Sequence, residues 1–183
     1  FKITTIIVGV VALLLTFSRS AIVVGILALV LVFFQKKKIL FFLAILFLTF
    51  SVFRFPFTFF EESVVVRQQL NVAAVKIWAT SPLFGVGLGN FLVRLPEALP
   101  TRTIYFLQPV HNIYLLLLSE IGAVGAAGVV GVVWVAIRKK KRILFVPLIA
   151  YLLLGFVDHY PLTLQQGQLL LTVLAARAVL SVH

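Results

Sequence analysis

Apolar runs of about 15–25 residues recur along this chain, each long enough to cross roughly 30 Å of hydrocarbon as a helix. A bilayer core offers no water to bond the backbone, so such runs are compatible with helices and little else. Of the 183 residues, 62% are hydrophobic and 11% charged. A soluble domain could not cover its core with so little polar surface. The expected fold is all-α, a polytopic transmembrane helical bundle.

Six spans are expected, over about Lys2–Phe17, Ala21–Phe34, Ile39–Phe53, His111–Ile137, Ile143–Val157 and Gln166–Val182. Residues 54–110 do not read as a span. The basic clusters Lys36–Lys38 and Arg138–Arg142 are two spans apart, so the positive-inside rule puts both in the cytoplasm. Ser18–Ser20, the loop 54–110 and Asp158–Pro161 then share the outer face. All five acidic residues fall in outer segments or near the outer end of a span, which agrees. The net charge of +11 follows from clusters between spans, so nucleic acid is not an expected partner. The chain has no Cys, which excludes disulfides and thiolate metal sites. It has no Met and opens inside an apolar run at Phe1, so the first span is not evidence of a signal peptide. The reading is one membrane domain over 1–183, the C-terminal portion of a longer polytopic protein.

The outer loop has its own pattern. From Glu61 to Thr80, Val66, Leu70, Ala73 and Ile77 recur at helical spacing beside Arg67, Gln68, Asn71 and Lys76. This predicts an amphipathic helix lying on the membrane surface over the bundle, with Trp78 at the interface. Ser81-Pro82 ends it. Gly85, Gly87 and Gly89 make a flexible turn, and Pro96, Pro100 and Pro109 punctuate the rest. The glycines lack the strand and βαβ setting of a dinucleotide fingerprint.

Several polar residues could carry chemistry. His111-Asn112 stands at the outer mouth of the fourth span. It is either an interfacial helix cap or a general base, since a neutral imidazole takes a proton near pH 7. Glu120 lies nine residues on, roughly 13 Å along a helix. A carboxyl at that depth needs a partner, such as Arg19 or a backbone donor. Half a turn out of phase, it should face away from His111, which favours a structural role. Gly122, Gly125 and Gly128 give the span a smooth face for close helix packing. Arg19 can snorkel at the boundary or bind phosphate with its planar fork. Arg67, Lys76, Arg94 and Arg102 also fall on the outer face, where the positive-inside rule does not explain them. They point to an anionic ligand at the outer membrane boundary. Asp158-His159 is a further outer polar pair, or simply a loop.

Together these residues resemble the O-antigen ligase family of bacterial membrane glycosyltransferases, with its related polymerases and protein O-oligosaccharyltransferases. The resemblance rests on Thr16-Phe17-Ser18-Arg19-Ser20 opening a span, and on Arg67 followed by Trp78, Pro82 and the Gly85–Asn90 turn. It rests most specifically on His111-Asn112 followed by Gly122-x-x-Gly125 with Glu120 inside, and finally on Asp158 to Gly167. Two features depart from it: the outer loop is compact, and Ala126-Ala127 replaces a Thr-rich pair. The resemblance implies transfer of a glycan from an undecaprenyl-diphosphate carrier to an acceptor hydroxyl of lipid A-core, protein or glycan. The reaction would take place on the periplasmic side of the bacterial inner membrane, without nucleotide sugar, cofactor or metal. It implies His111, Arg19 and Arg67 as catalytic residues, with Asn112, Lys76, Arg94 and Arg102 binding substrate. Glu120, Gly122, Gly125 and Asp158 would support the site.

A polymerase of the same lipid-linked repeat unit differs only in its acceptor. A transporter for a small anion or lipid-linked sugar is the competing class. It would want charges or broken helices near mid-membrane, and in the sequence only Glu120 qualifies. A purely structural subunit leaves the outer cations and His111 unexplained.

Overall fold

The computed structural model describes residues 2–15, 18–33, 60–99, 107–138 and 142–180. Among them all regular structure is helical. The helices are α1 (Lys2–Leu15), α2 (Arg19–Phe33), α3 (Phe60–Thr80), α4 (Phe91–Ala98), α5 (Ile113–Arg138), α6 (Arg142–Gly155), α7 (Tyr160–Thr163) and α8 (Gln165–Leu180). Two compact units result. One holds α1 and α2 with Val146–Leu154 of α6, and the other holds α3, α4, α5, α7 and α8.

In the first unit, the polar notch between α1 and α2 is a helix start. Ser18 Oγ accepts from the Ala21 N–H at 3.3 Å, which caps α2 and makes Arg19 its first residue. Gly25 lets the Leu13 side chain come closer than a Cβ would permit. The expected third span, Ile39–Phe53, lies outside the described residues.

Among the described residues one helix is long and apolar enough to cross a membrane, Ile113–Val135 within α5, at 23 residues. The apolar helices α1, α2, α6 and α8 have 14, 15, 14 and 16 residues.

The second unit has a core built on α3. Its stripe Leu70, Ala73, Ala74 and Ile77 is fully or almost fully buried, as the spacing of Leu70, Ala73 and Ile77 predicts. It packs against Phe91 and Leu95 of α4, against Val110 and against Leu116 of α5. The apolar side of the loop helix is therefore turned onto protein. The Thr80 hydroxyl closes the last turn by donating to the Ile77 carbonyl at 2.7 Å. The short helix α4 was not expected from the sequence. Its Phe91 and Leu95 lie one turn apart and reach the core despite Pro96.

Helix α5 is broken. Gly122 has φ 64° and ψ −173°, a conformation that costs any residue with a Cβ. The glycine-rich turn after α3 fills the break. Val86 N–H donates to the Ser119 carbonyl at 2.9 Å and Gly87 N–H to the Glu120 carbonyl at 2.9 Å. In return, Ala123 N–H donates to the Pro82 carbonyl at 2.8 Å and Val124 N–H to the Leu83 carbonyl at 3.1 Å. The backbone groups freed by the break are thus bonded by a neighbouring segment, as buried irregular backbone requires. A Cβ on Gly85 would run into the Glu120 carbonyl, and one on Gly122 into the Leu83 carbonyl.

This changes two expectations. The Gly85–Asn90 turn is pinned rather than flexible. The glycines of α5 do not form one smooth packing face, since Gly122 serves the break and, among the described residues, a Cβ on Gly128 would meet nothing within 4 Å.

Candidate functional site

The residues with chemical potential gather where the entry to α5 meets the turn between α6 and α7. Asn112 sets the geometry of the entry. Its Oδ1 accepts from the Tyr114 N–H at 2.9 Å and the Leu115 N–H at 3.1 Å, so it caps α5. His111 is thereby fixed just outside the helix. The end of α6 docks here through two contacts. The bare backbone of Gly155 admits the Ile113 side chain, and Phe156 lies against Tyr114 with ring centroids 4.4 Å apart.

Those contacts bring Asp158 and His159 beside His111. Asp158 Oδ1 accepts from the His159 N–H at 2.7 Å and stands 3.7 Å from His111 Nδ1. The two imidazole rings are 5.0 Å apart, and His159 Nδ1 is 2.7 Å from the Thr163 hydroxyl. Arg67 reaches in from α3 and donates to the Val157 carbonyl at 3.0 Å. His111 Nδ1 is buried, and at 3.7 Å from Asp158 it has no hydrogen-bond partner among the described residues. Buried polar atoms are rarely left so, and catalytic sites are one place where they are.

Electrostatics divides the cluster. Burial alone would raise the Asp158 carboxyl. The His111 imidazole and the backbone N–H groups of Tyr160 and His159 outweigh it and hold the group below the usual carboxylate range. Burial pushes the His159 imidazole below its usual value. The charges of His111 and Arg67 act in the same direction, and Asp158 opposes them. The arrangement is a carboxylate facing one histidine, beside a second histidine held neutral and an arginine. It can orient an imidazole, receive a proton and stabilise negative charge.

One metal-ligand group is found among the described residues: atoms of His111, Asp158 and His159 lie within 4.8 Å of one another. The donors are partly engaged, since Asp158 Oδ1 takes a backbone N–H and His159 Nδ1 meets Thr163.

The other expected site residues lie elsewhere. Glu120 is 8% exposed, and its Oε1 accepts from the Phe91 N–H at 3.2 Å, so this carboxylate caps α4 from a distance. A backbone donor was one of its two expected partners. Gly122 forms the break, and Gly125 packs against Ile121 of its own helix. Lys76 and Arg94 line a separate cleft between α3 and α4 with Thr80, Ser81 and Glu97, of about 620 Å³. Arg19 begins α2 in the first unit. Arg102 lies outside the described residues. In the sequence His159 reads only as half of an outer polar pair. The available signal was a second histidine next to the acidic residue of a short turn.

Comparison with known proteins gives one finding. The family model described as O-antigen ligase matches residues 4–130 of the chain. That stretch includes Arg19, Arg67, His111, Glu120 and Gly122, and it ends before Asp158 and His159. No curated protein and no solved structure matches.

Proposed function

The chain belongs to the O-antigen ligase family, a membrane-associated family of glycan-transferring enzymes, and we propose that His111 is its general base. In this reading the donor is a glycan on undecaprenyl diphosphate, and the acceptor is a hydroxyl of lipid A-core, protein or another glycan. The reaction runs at the periplasmic face of the inner membrane. The observation that carries it is the buried Nδ1 of His111, without a hydrogen bond among the described residues, facing the Asp158 carboxylate at 3.7 Å.

A carboxylate at that atom favours the tautomer with its proton on Nδ1, which leaves Nε2 free to accept. As the acceptor oxygen attacks the anomeric carbon, its proton passes to Nε2 and the new C–O bond forms. The bond from that carbon to the carrier's phosphate oxygen breaks, and the diphosphate leaves with the electron pair. Direct attack inverts the anomeric carbon. Negative charge grows on the leaving diphosphate, and Arg67 stabilises it there. Asp158 stabilises the imidazolium that forms. His159, kept neutral by burial, adds no repulsion at that moment.

The test is transfer in vitro by the full-length protein, with undecaprenyl-diphosphate-linked glycan and each acceptor class offered separately. The expected result is a glycosylated product on one class. Product only on the growing glycan would make the protein a polymerase. Carrier-linked glycan left intact with every acceptor would overturn the reading.

One observation favours transport instead: the break in α5 at Gly122, since discontinuous helices mark ion and substrate sites in transporters. Against it, the ends exposed by this break are bonded by Pro82–Gly87. Uptake of the glycan-linked carrier or of an anion into vesicles, with no product formed, would support that reading.

A further inference from the structure

The chemistry at His111 leaves the cleft between α3 and α4 unused. Its two cations come from different helices, Lys76 from α3 and Arg94 from α4. Lys76 has no ion-pair partner among the described residues. Arg94 meets Glu97 at 3.5 Å, but the two side chains are 54% and 72% exposed. An exposed pair of this kind is weak and readily exchanged for a better anion. Beside the cations stand the hydroxyls of Thr80 and Ser81 and the Glu97 carboxylate. The Thr80 hydroxyl spends its proton on the Ile77 carbonyl, so towards a ligand it is an acceptor. At about 620 Å³ the cleft is of a size ordinary for small-molecule sites.

Lys76 lies nine residues after Arg67, about 13 Å along α3 and half a turn around it. The two are on opposite sides of the buried stripe. An anion held at Lys76 and Arg94 is therefore not the one that Arg67 meets.

We propose that this cleft is a second anion site, which holds a phosphate ester flanked by hydroxyl groups through Lys76 and Arg94, with Thr80, Ser81 and Glu97 accepting from the hydroxyls. The proposal rests on the glycan-transfer reading only for its biological source. Two sources bring this chemistry, a phosphorylated saccharide and a glycerophospholipid headgroup.

The test reads occupancy without transfer. Full-length protein in nanodiscs is treated with an amine-acylating reagent, and the labelling rate of Lys76 is followed by peptide mass spectrometry against the other lysines. In phosphatidylcholine discs the probe is N-acetylglucosamine 6-phosphate, with N-acetylglucosamine as the neutral control. In a second arm the discs contain phosphatidylglycerol and no sugar is added. The expected result is slowing of Lys76 labelling by about threefold or more at probe concentrations up to about 10 mM. Protection in the first arm identifies a saccharide source, and protection in the second a headgroup source. The neutral sugar gives none. Arg94→Gln abolishes the protection and Arg94→Lys retains part of it. No protection in either arm, equal protection by the neutral sugar, or full protection in Arg94→Gln would overturn the site. A protein that transfers glycan without this protection refutes the cleft alone. One that shows the protection without transfer refutes the function alone.

Discussion

The break at Gly122 and the cluster at His111 sit eleven residues apart on one stretch of chain and are built in opposite ways. At the break, two segments exchange four backbone hydrogen bonds of 2.8–3.1 Å, and two glycines approach the facing carbonyls too closely for any Cβ. The Trp78 indole adds a bond at 3.1 Å to the Pro82 carbonyl that also serves Ala123. At the cluster, Asp158 and His159 are firmly held from behind, by backbone and by Thr163. The imidazole they face keeps a buried nitrogen without a hydrogen bond among the described residues. The first region satisfies its polar groups within the protein, and the second leaves one contact, His111 Nδ1 to Asp158, still to tighten. A saturated junction suits a scaffold. An unsaturated atom on a rigid support suits chemistry, because the missing bond can form in the reacting complex.

That contrast can be broken by mutation. Gly122→Ala strikes the junction hardest. The positive φ alone costs about 1–3 kcal/mol, and displacement of the Leu83 carbonyl adds to it. The expected outcome is a large fall in the melting temperature and in the folded yield of the full-length protein. An unchanged melting temperature would mean that the break is not rigid.

Glu120→Ala comes next. It strips the acceptor from the buried Phe91 N–H, and hydrogen bonds to a charged group are worth about 1.5–3 kcal/mol. Glu120→Gln keeps an acceptor and should lose less. Equal losses in thermal unfolding would show that the carboxylate does not cap α4.

Acid should separate the two regions with a smaller effect. Both His159 and Asp158 are held below their ordinary values. Each therefore contributes stability that is present above the ordinary value and lost as pH falls through the folded one. Acidification below the ordinary imidazole value first drives a proton onto His159, and acidification below the ordinary carboxylate range then removes the charge of Asp158. Protection from amide exchange over 157–163, corrected for intrinsic rates, is expected to fall as the solution is acidified through this range. Exchange at Ala123 and Val124, once corrected for intrinsic rates, should hold until global unfolding.

The smallest expected effect is that of a chelator. The proposed reaction uses no metal, so transfer should persist after exhaustive treatment with EDTA. Loss restored by one divalent cation would make His111, Asp158 and His159 ligands and recast the mechanism.

What the sequence discloses follows the range of the interactions involved. The α3 stripe is local, so spacing reveals Leu70, Ala73 and Ile77, and Ser81-Pro82 reveals the stop. Asn112 before an apolar run reads as a cap for the same reason. Gly122 does not yield to this approach. Gly-x-x-Gly in an apolar helix describes a packing face as well as a break, and the choice is made by Pro82–Gly87, some forty residues earlier. Helix α4 hides likewise, because its first N–H is bonded by a carboxylate 29 residues away. His159 is legible only as half of a polar pair. Its place beside His111 depends on Gly155 admitting Ile113 and on Phe156 meeting Tyr114.

The most direct test compares His111→Ala with the wild type in two assays on the same full-length preparation, thermal unfolding and transfer from the carrier-linked glycan. An unchanged melting temperature is expected, with transfer reduced by about 10²–10⁴-fold, the range for losing a general base. Transfer retained at the wild-type rate would contradict it, as would a loss of transfer that only matches a loss of folded protein.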